Sequence, residues 1–178
     1  MLKDRSKTKP PIEDIVIKTL KEVGADFVVT LREDPTVGLV DKLSKDKYFT
    51  YLEVVNESHG VSITAGAALA GRKSVFITGT AGMLVAAWPL SMLNLIHRVP
   101  MVLIVSYRGD IGDLSGIPGE YLYAFGTVAE DYLKALSLVP YRIVGEKSKL
   151  RSTIIGAFNT AIEHKMPIVI LLTDEVLW

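Results

Sequence analysis

The stretch YLEVVNESHGVSITAGAALAGRKSVFITGTAG, residues 51–82, decides how the chain is read. It opens with an apolar run from Tyr51 to Val55 that reads as a buried strand, within which Glu53 reads as a sheet or interface residue. Asn56 and Glu57 then stand at the turn into a segment rich in Gly and Ala. That segment, with Gly60, Val61, Ile63, Ala65, Gly66, Ala67, Ala68 and Ala70, carries almost no polar side chains. It therefore predicts a helix buried on most faces and closely approached by its neighbours. A second apolar strand, Ser74 to Thr78, runs into Gly79-Thr80-Ala81-Gly82. The result is a carboxylate, Glu57, at a strand-to-helix junction with little nearby in sequence to pair it. A carboxylate so placed is either a helix-end group interacting with the dipole or a working acid/base group.

On the N-terminal side, Pro11 followed by IEDIVIKTLKEVGA predicts an amphipathic helix, with Ile12, Ile15, Val16, Leu20 and Val23 at helical spacing and Gly24 at its end. Asp26 to Leu31 predicts the first strand. Arg32-Glu33-Asp34-Pro35 reads as a turn, and TVGLVDKLSKD as a short helix. On the C-terminal side, a long apolar helix is predicted from about Met83 to His97, kinked at Pro89. MVLIVSY, residues 101–107, is the continuous apolar run of a strand buried on both faces. It delivers Arg108-Gly109-Asp110-Ile111-Gly112 and a Gly- and Pro-bearing loop to about Gly119, a length more typical of functional loops. A helix near Thr127–Leu138, a strand at Tyr141–Val144, a helix from about Ser148 to His164 and a last strand in PIVILLTDEV complete the pattern. Strands alternating with helices predict an α/β fold: a doubly wound, mostly parallel sheet of about six strands with helices on both faces. A single domain spanning 1–178 is expected, with residues 1–9 as a flexible N-terminal segment.

Composition narrows the function. The 178 residues balance 20 basic against 20 acidic side chains, without a basic stripe, so no nucleic-acid partner is expected. Having no cysteine, the chain has no disulfides, thiolate metal sites or thiol nucleophiles. Three scattered histidines, His59, His97 and His164, argue against a metal cluster. The polar, charged opening MLKDRSKTKPP lacks the apolar core of a signal peptide, which leads to an expectation of a cytoplasmic protein. The mean hydropathy of +0.31 comes from short apolar runs. None of them is long enough to span a bilayer without polar interruption, but such a chain is expected to have faces that another subunit covers.

In doubly wound sheets ligands sit at the C-terminal ends of strands. Three loops qualify: Asn56 to His59, Gly79 to Gly82, and Arg108 to Gly119. None is a phosphate-binding P-loop or a G-x-G-x-x-G dinucleotide turn. His59, two positions beyond Glu57, is placed to help bind an anion or else is satisfied by nearby backbone. Arg108 can hold an anion through its planar fork or pair at the surface with Asp110 or Asp113. Thr78 and Thr80 offer hydroxyls to a ligand or to the helix after Gly79.

The run NESHGVSITAGAALAGRKSVFITGTAG, followed by the strand ending SYRGDIGDLSGIPGE, resembles the pyrimidine-binding domain of thiamine diphosphate-dependent 2-oxoacid decarboxylases. Within that group it looks most like the alpha-type subunits of sulfopyruvate decarboxylase and the matching half of phosphonopyruvate decarboxylase. The resemblance covers nearly the whole chain. It implies that Glu57 is the catalytic glutamate that activates the cofactor by hydrogen bonding a ring nitrogen of its aminopyrimidine. Glu57, Gly79, Thr80 and Gly82 would bind the cofactor, and His59, Arg108 and Gly109 a small anionic 2-oxoacid. Close relatives carry an amide-bearing turn where this chain has Thr78 to Gly82, a departure that bears on the substrate. The Gly-Asp-Gly and later Asn that hold the diphosphate through Mg²⁺ are missing, since Gly109-Asp110-Ile111-Gly112 has a different third residue. The resemblance thus implies no metal site here, thiamine diphosphate shared with a separate diphosphate-binding, beta-type subunit that carries Mg²⁺, and a homodimer or larger hetero-oligomer.

Overall fold

A computed structural model describes residues 10–109, 119–138 and 140–177, with backbone alone for 119–124. The expected flexible segment 1–9 and most of the Arg108–Gly119 loop lie outside the described residues. Helix α1 (Ile12–Val23) buries Ile12, Val16 and Leu20 as one stripe, and Gly24 closes it at φ 73°. Strand β1 (Ala25–Thr30), a 3₁₀ turn at Asp34–Thr36, helix α2 (Val37–Lys45) and strand β2 (Thr50–Glu53) follow. Then come α3 (Glu57–Leu69), β3 (Lys73–Gly79), α4 (Thr80–Val85), α5 (Ala87–Met92), a π turn at Leu93–His97 and β4 (Val102–Ser106). The chain ends with α6 (Gly119–Ala135), β5 (Arg142–Val144), α7 (Lys147–His164), β6 (Ile168–Leu172) and α8 (Asp174–Leu177).

The six strands form one sheet in the order β2-β1-β3-β4-β6-β5, with every pairing parallel. Successive residues of the inner strands serve opposite faces. Val75 and Ile77 of β3, with Val102 and Ile104 of β4, pack under α1, α2 and α7. Phe76, Leu103 and Val105 pack with Val61 and Ala65 of α3, Met83 of α4, Leu90 of α5 and Leu133 of α6. Both faces are thus covered, which is why the central strands read as unbroken apolar runs.

Three local expectations are corrected. The Tyr51–Val55 strand is not buried: β2 lies at the sheet edge with Leu52 and Glu53 exposed. Glu53 is the last residue of β2 and accepts from Arg32 at 3.1 Å, in keeping with a sheet role. Helix α3 is not buried on most faces either. Its inner side holds Gly60, Val61, Thr64 and Ala65, while Ser62, Ile63, Gly66 and Leu69 are exposed. Finally, the long helix breaks at Ala86, one residue before α5, and not at Pro89. Pro89 falls in the first turn of α5, where a missing N–H leaves no intrahelical bond unmade. The Val85 carbonyl four residues earlier instead accepts from the Ser58 hydroxyl at 3.2 Å.

Candidate functional site

The chain leaves β1 toward β2 on one side and returns past β1 to β3 on the other, so the strand order reverses between β1 and β3. Side chains that follow the C-terminal ends of four adjacent strands converge there: Glu57 after β2, Glu33 after β1, the Gly79–Gly82 turn after β3, and Ser106 and Arg108 at and after β4. This is the crevice where doubly wound sheets take ligands.

Asn56 sets the position of Glu57. Its backbone is extended, and its Oδ1 accepts from the N–H groups of Ser58 at 2.9 Å and His59 at 3.4 Å, capping α3. Glu57 is therefore the first residue of the helix. Gly60, one turn on, lets α3 lie close on β3, since a Cβ there would come within 2.6 Å of Phe76 Cζ. The Glu57 side chain crosses to the next turn: a Cβ on Gly82 would lie 2.6 Å from Glu57 Cγ and 2.8 Å from its Oε1, and would also strike Thr78 Oγ1.

The same turn receives a second carboxylate. A Cβ on Gly79 would collide with the Glu33 carboxylate, and the Ser106 hydroxyl donates to Glu33 Oε1. Gly79 and Gly82 are thus bare because acidic side chains lie against both. Between them, Thr80 does not cap α4. Its hydroxyl donates to the Ser106 carbonyl at 2.7 Å and accepts from the Arg108 N–H at 3.3 Å, tying the β3 turn to the end of β4. Burial pushes the Glu33 carboxyl from 4.5 up to about 7; the charge of Arg108 opposes that rise, while Asp34 and Glu57 add to it.

Arg108 is 9 % exposed, and its Nε and Nη2 have no hydrogen-bond partner among the described residues. Arg108 is thus buried and not at the surface, while Asp110 and Asp113 lie outside the described residues. Gly109, at φ 89°, turns the chain away immediately after it. His59 is exposed on α3, and its engaged group is the backbone N–H. The structure thus gathers Glu57, Gly79, Thr80, Gly82 and Arg108 in one place and leaves His59 at the helix surface.

Glu33 is the residue that sequence reasoning missed. Arg32-Glu33-Asp34-Pro35 reads as a plain turn, and the signal available was its place at the C-terminal end of a strand, the same criterion that selected the other three loops. Arg32 beside it is exposed and occupied by Asp41 at 2.5 Å and Glu53 at 3.1 Å, so it takes no part in the crevice. Among the described residues, no group of three or more His, Asp or Glu side chains is arranged to hold a metal ion, and no helix is long and apolar enough to cross a membrane.

Residues 11–115 match the family model for the thiamine pyrophosphate enzyme N-terminal TPP binding domain. Sulfopyruvate decarboxylase subunit alpha of Methanococcus maripaludis is 25 % identical over 167 residues, covering 93 % of this chain and 95 % of the relative. The subunit alpha of Methanothermobacter thermautotrophicus is 24 % identical over 168 residues, covering 93 % and 96 %. Among solved structures, a candidate thiamin diphosphate-dependent enzyme of Mycobacterium smegmatis superposes with a TM-score of 0.73 at 15 % identity, over 96 % of this chain and 32 % of the other. The 2-oxoglutarate:ferredoxin oxidoreductase of Magnetococcus marinus gives 0.72 at 16 % identity, over 95 % and 30 %. The chain thus spans about a third of those two solved chains, and at such identity the likeness concerns the fold.

Proposed function

The chain belongs to the thiamine pyrophosphate enzyme N-terminal TPP binding domain family, and from that premise we propose that it is the pyrimidine-binding subunit of a thiamine diphosphate-dependent 2-oxoacid decarboxylase. Its proposed substrate is a small anionic 2-oxoacid, with 3-sulfopyruvate the leading candidate from the two alpha-subunit relatives that match almost end to end. The observation that carries the reading is Glu57, capped into place at the first residue of α3 and lying over the bare Cα of Gly82.

The residues present fit the pyrimidine half of the cofactor. An aminopyrimidine ring needs a carboxylate at its edge and small residues around it, and Glu57 beside the Gly79–Gly82 turn offers both. Glu57, Gly79, Thr80 and Gly82 would hold that ring. When bound, thiamine diphosphate supplies an acidic thiazolium carbon and an electron sink for loss of carbon dioxide. The part of this chain is narrower: Glu57 holds a proton at a ring nitrogen, and the turn orients the ring. Arg108 offers two unpartnered donor nitrogens, Nε and Nη2, to an anionic group of the substrate. The diphosphate and its Mg²⁺ are assigned to a separate diphosphate-binding, beta-type subunit, and the working assembly to a hetero-oligomer in the cytoplasm.

The test is reconstitution. This chain alone should bind thiamine diphosphate weakly, and adding a diphosphate-binding subunit with Mg²⁺ should produce decarboxylase activity. Glu57→Gln keeps size and shape, and in the mixed assembly it should lower turnover by about a hundredfold or more, as loss of an acid/base group does. Proton exchange at the thiazolium carbon, followed by NMR without substrate, should slow in the variant. Wild-type exchange in Glu57→Gln, or full activity from this chain with no partner, would overturn the reading. A preference for phosphonopyruvate over 3-sulfopyruvate would reassign the substrate and keep the reaction, whereas inactivity with every 2-oxoacid would point to a non-catalytic module of the same fold.

A further inference from the structure

A guanidinium with nine-tenths of its surface buried is costly unless its donors are used, yet Nε and Nη2 of Arg108 are unpartnered among the described residues. The nearby Glu33 carboxyl does not fill that role. Its oxygens lie against Gly79 and Ser106, and it acts on Arg108 through charge at a distance, with no ion pair between them. The backbone leading into Arg108 is held in place, because Thr80 links the β3 turn to Ser106 and Arg108. Two free donors on a buried cation, beside a carboxyl held by other partners, describe an anion receptor with a built-in competitor.

We propose that Arg108 is the receptor for a sulfonate-type anion of the substrate and that Glu33 is its proton-linked gate: the receptor accepts the anion while Glu33 carries a proton and loses it when that proton leaves. The inference rests on the reading of the site as that of an anionic 2-oxoacid enzyme and deepens it by naming what sets specificity. With Glu33 neutral, the charges facing the crevice among the described residues are Arg108 and Glu57, with the exposed Asp34 at the rim. With Glu33 ionised, a second carboxylate is added beside the same single cation, and an incoming anion meets net negative charge. Among the described residues, the other elements packed against Glu33 bring no titratable group: the β3 turn offers Thr78, Gly79, Thr80, Ala81 and Gly82, and β4 offers Ser106. Arg32, next in sequence, is held by Asp41 and Glu53.

Burial pushes the Glu33 carboxyl up to about 7, which sets the expected size of the effect. Between pH 6 and pH 8 the protonated fraction falls about tenfold, and the affinity for the anion should fall with it. Both receptor and gate belong to this chain, so the test needs no partner. Sulfoacetate is a suitable probe, because its sulfonate and carboxylate are ionised throughout that range, whereas a phosphonate would titrate within it.

Titration calorimetry of the full chain with sulfoacetate should show the tenfold loss of affinity from pH 6 to pH 8. In buffers of different ionisation enthalpy it should also show about one proton taken up per anion at pH 8 and close to none at pH 6. Glu33→Gln should bind equally at both pH values without proton uptake, and Arg108→Gln should lose at least tenfold at pH 6. Arg108→Lys, which keeps the charge and loses the planar fork, covers the event that Arg108→Gln does not fold, and should weaken binding in the same direction. No binding by the wild-type chain at pH 6, a pH-independent affinity, a fall that persists in Glu33→Gln, or wild-type affinity in Arg108→Lys would each overturn the proposal. A mixed assembly that fails to decarboxylate while this proton-linked binding persists would remove the proposed reaction and leave the gate standing. A decarboxylating assembly with pH-independent sulfoacetate binding would do the reverse.

Discussion

Two glycines with carboxylates lying against them make the site sensitive to single methyl groups. Gly82→Ala would place a Cβ 2.6 Å from Glu57 Cγ and against Thr78 Oγ1, so the glutamate must move. Overpacking of this kind costs about 1–3 kcal/mol, but the larger expected effect is on turnover, because a displacement near 1 Å can cost about a hundredfold. Activity of the reconstituted assembly, set beside the thermal midpoint of the chain, separates the two, and unchanged turnover would mean that Glu57 need not stay where it stands. Glu33 gives a prediction of stability against pH. Its folded-state value is raised from 4.5 to about 7, so between those values the native chain binds more protons than the unfolded one, and stability falls as pH rises. The contribution is fully present below about 4.5 and lost above about 7. Each pH unit between carries at most ~1.4 kcal/mol, lowered by solvent reaching the half-buried side chain. Denaturant midpoints measured from pH 5 to pH 8 should decline more steeply in the wild type than in Glu33→Gln, and parallel curves would refute the shift.

At the scale of elements, the turn into α3 holds the acidic group by a cap. Asn56→Ala removes the acceptor for two N–H groups, which should cost ~1 kcal/mol and lower the thermal midpoint by about 2–4 °C in a chain of this size. A midpoint within error of the wild type would show that water replaces the cap fully. The elements were largely legible in the sequence where burial is two-sided. MVLIVSY and PIVILL are unbroken apolar runs because β4 and β6 are covered on both faces, and Pro11 and Gly24 mark the ends of α1. Legibility failed where a tertiary neighbour decides. Val55 is apolar yet 95 % exposed, because β2 ends at Glu53 and Val55 stands in the bend that leads into α3. Pro89 signals a break, but its place depends on which residue starts the next helix and on Ser58, distant in sequence, being available to the Val85 carbonyl. The candidate site was half legible. Glu57 stands out beside an apolar helix, whereas Glu33 sits among charged neighbours in a turn, and only the strand order brings it against Gly79.

Across the whole molecule, the most exposed of the described large apolar side chains after Val55 are Trp88 and Leu69, which share one cleft. A cleft of about 410 Å³ between α3 and α5 is lined by Gly66, Leu69, Trp88, Pro89 and Met92 among others, and Trp88 and Leu69 are 73 % and 69 % exposed. The face adjoins the helix that carries Glu57, and its covering in the assembly is the expected use of so much exposed hydrocarbon. Trp88→Glu should leave the fold unchanged, as its exposure implies, and shift the sedimentation of the reconstituted assembly toward separate chains. Unchanged sedimentation would place the contact elsewhere. The strand order also bears on how the chain comes to be folded. The Ser106 hydroxyl and the Glu33 carboxyl it meets are 73 positions apart in the chain, and β3, which lies between their strands, is made in the interval. No early segment emerging from the ribosome can assemble the crevice, since three non-adjacent stretches must be in register first, and such long-range pairings form late and slowly. An anion held there therefore binds the finished native state alone, and by mass action it draws half-folded chains toward completion.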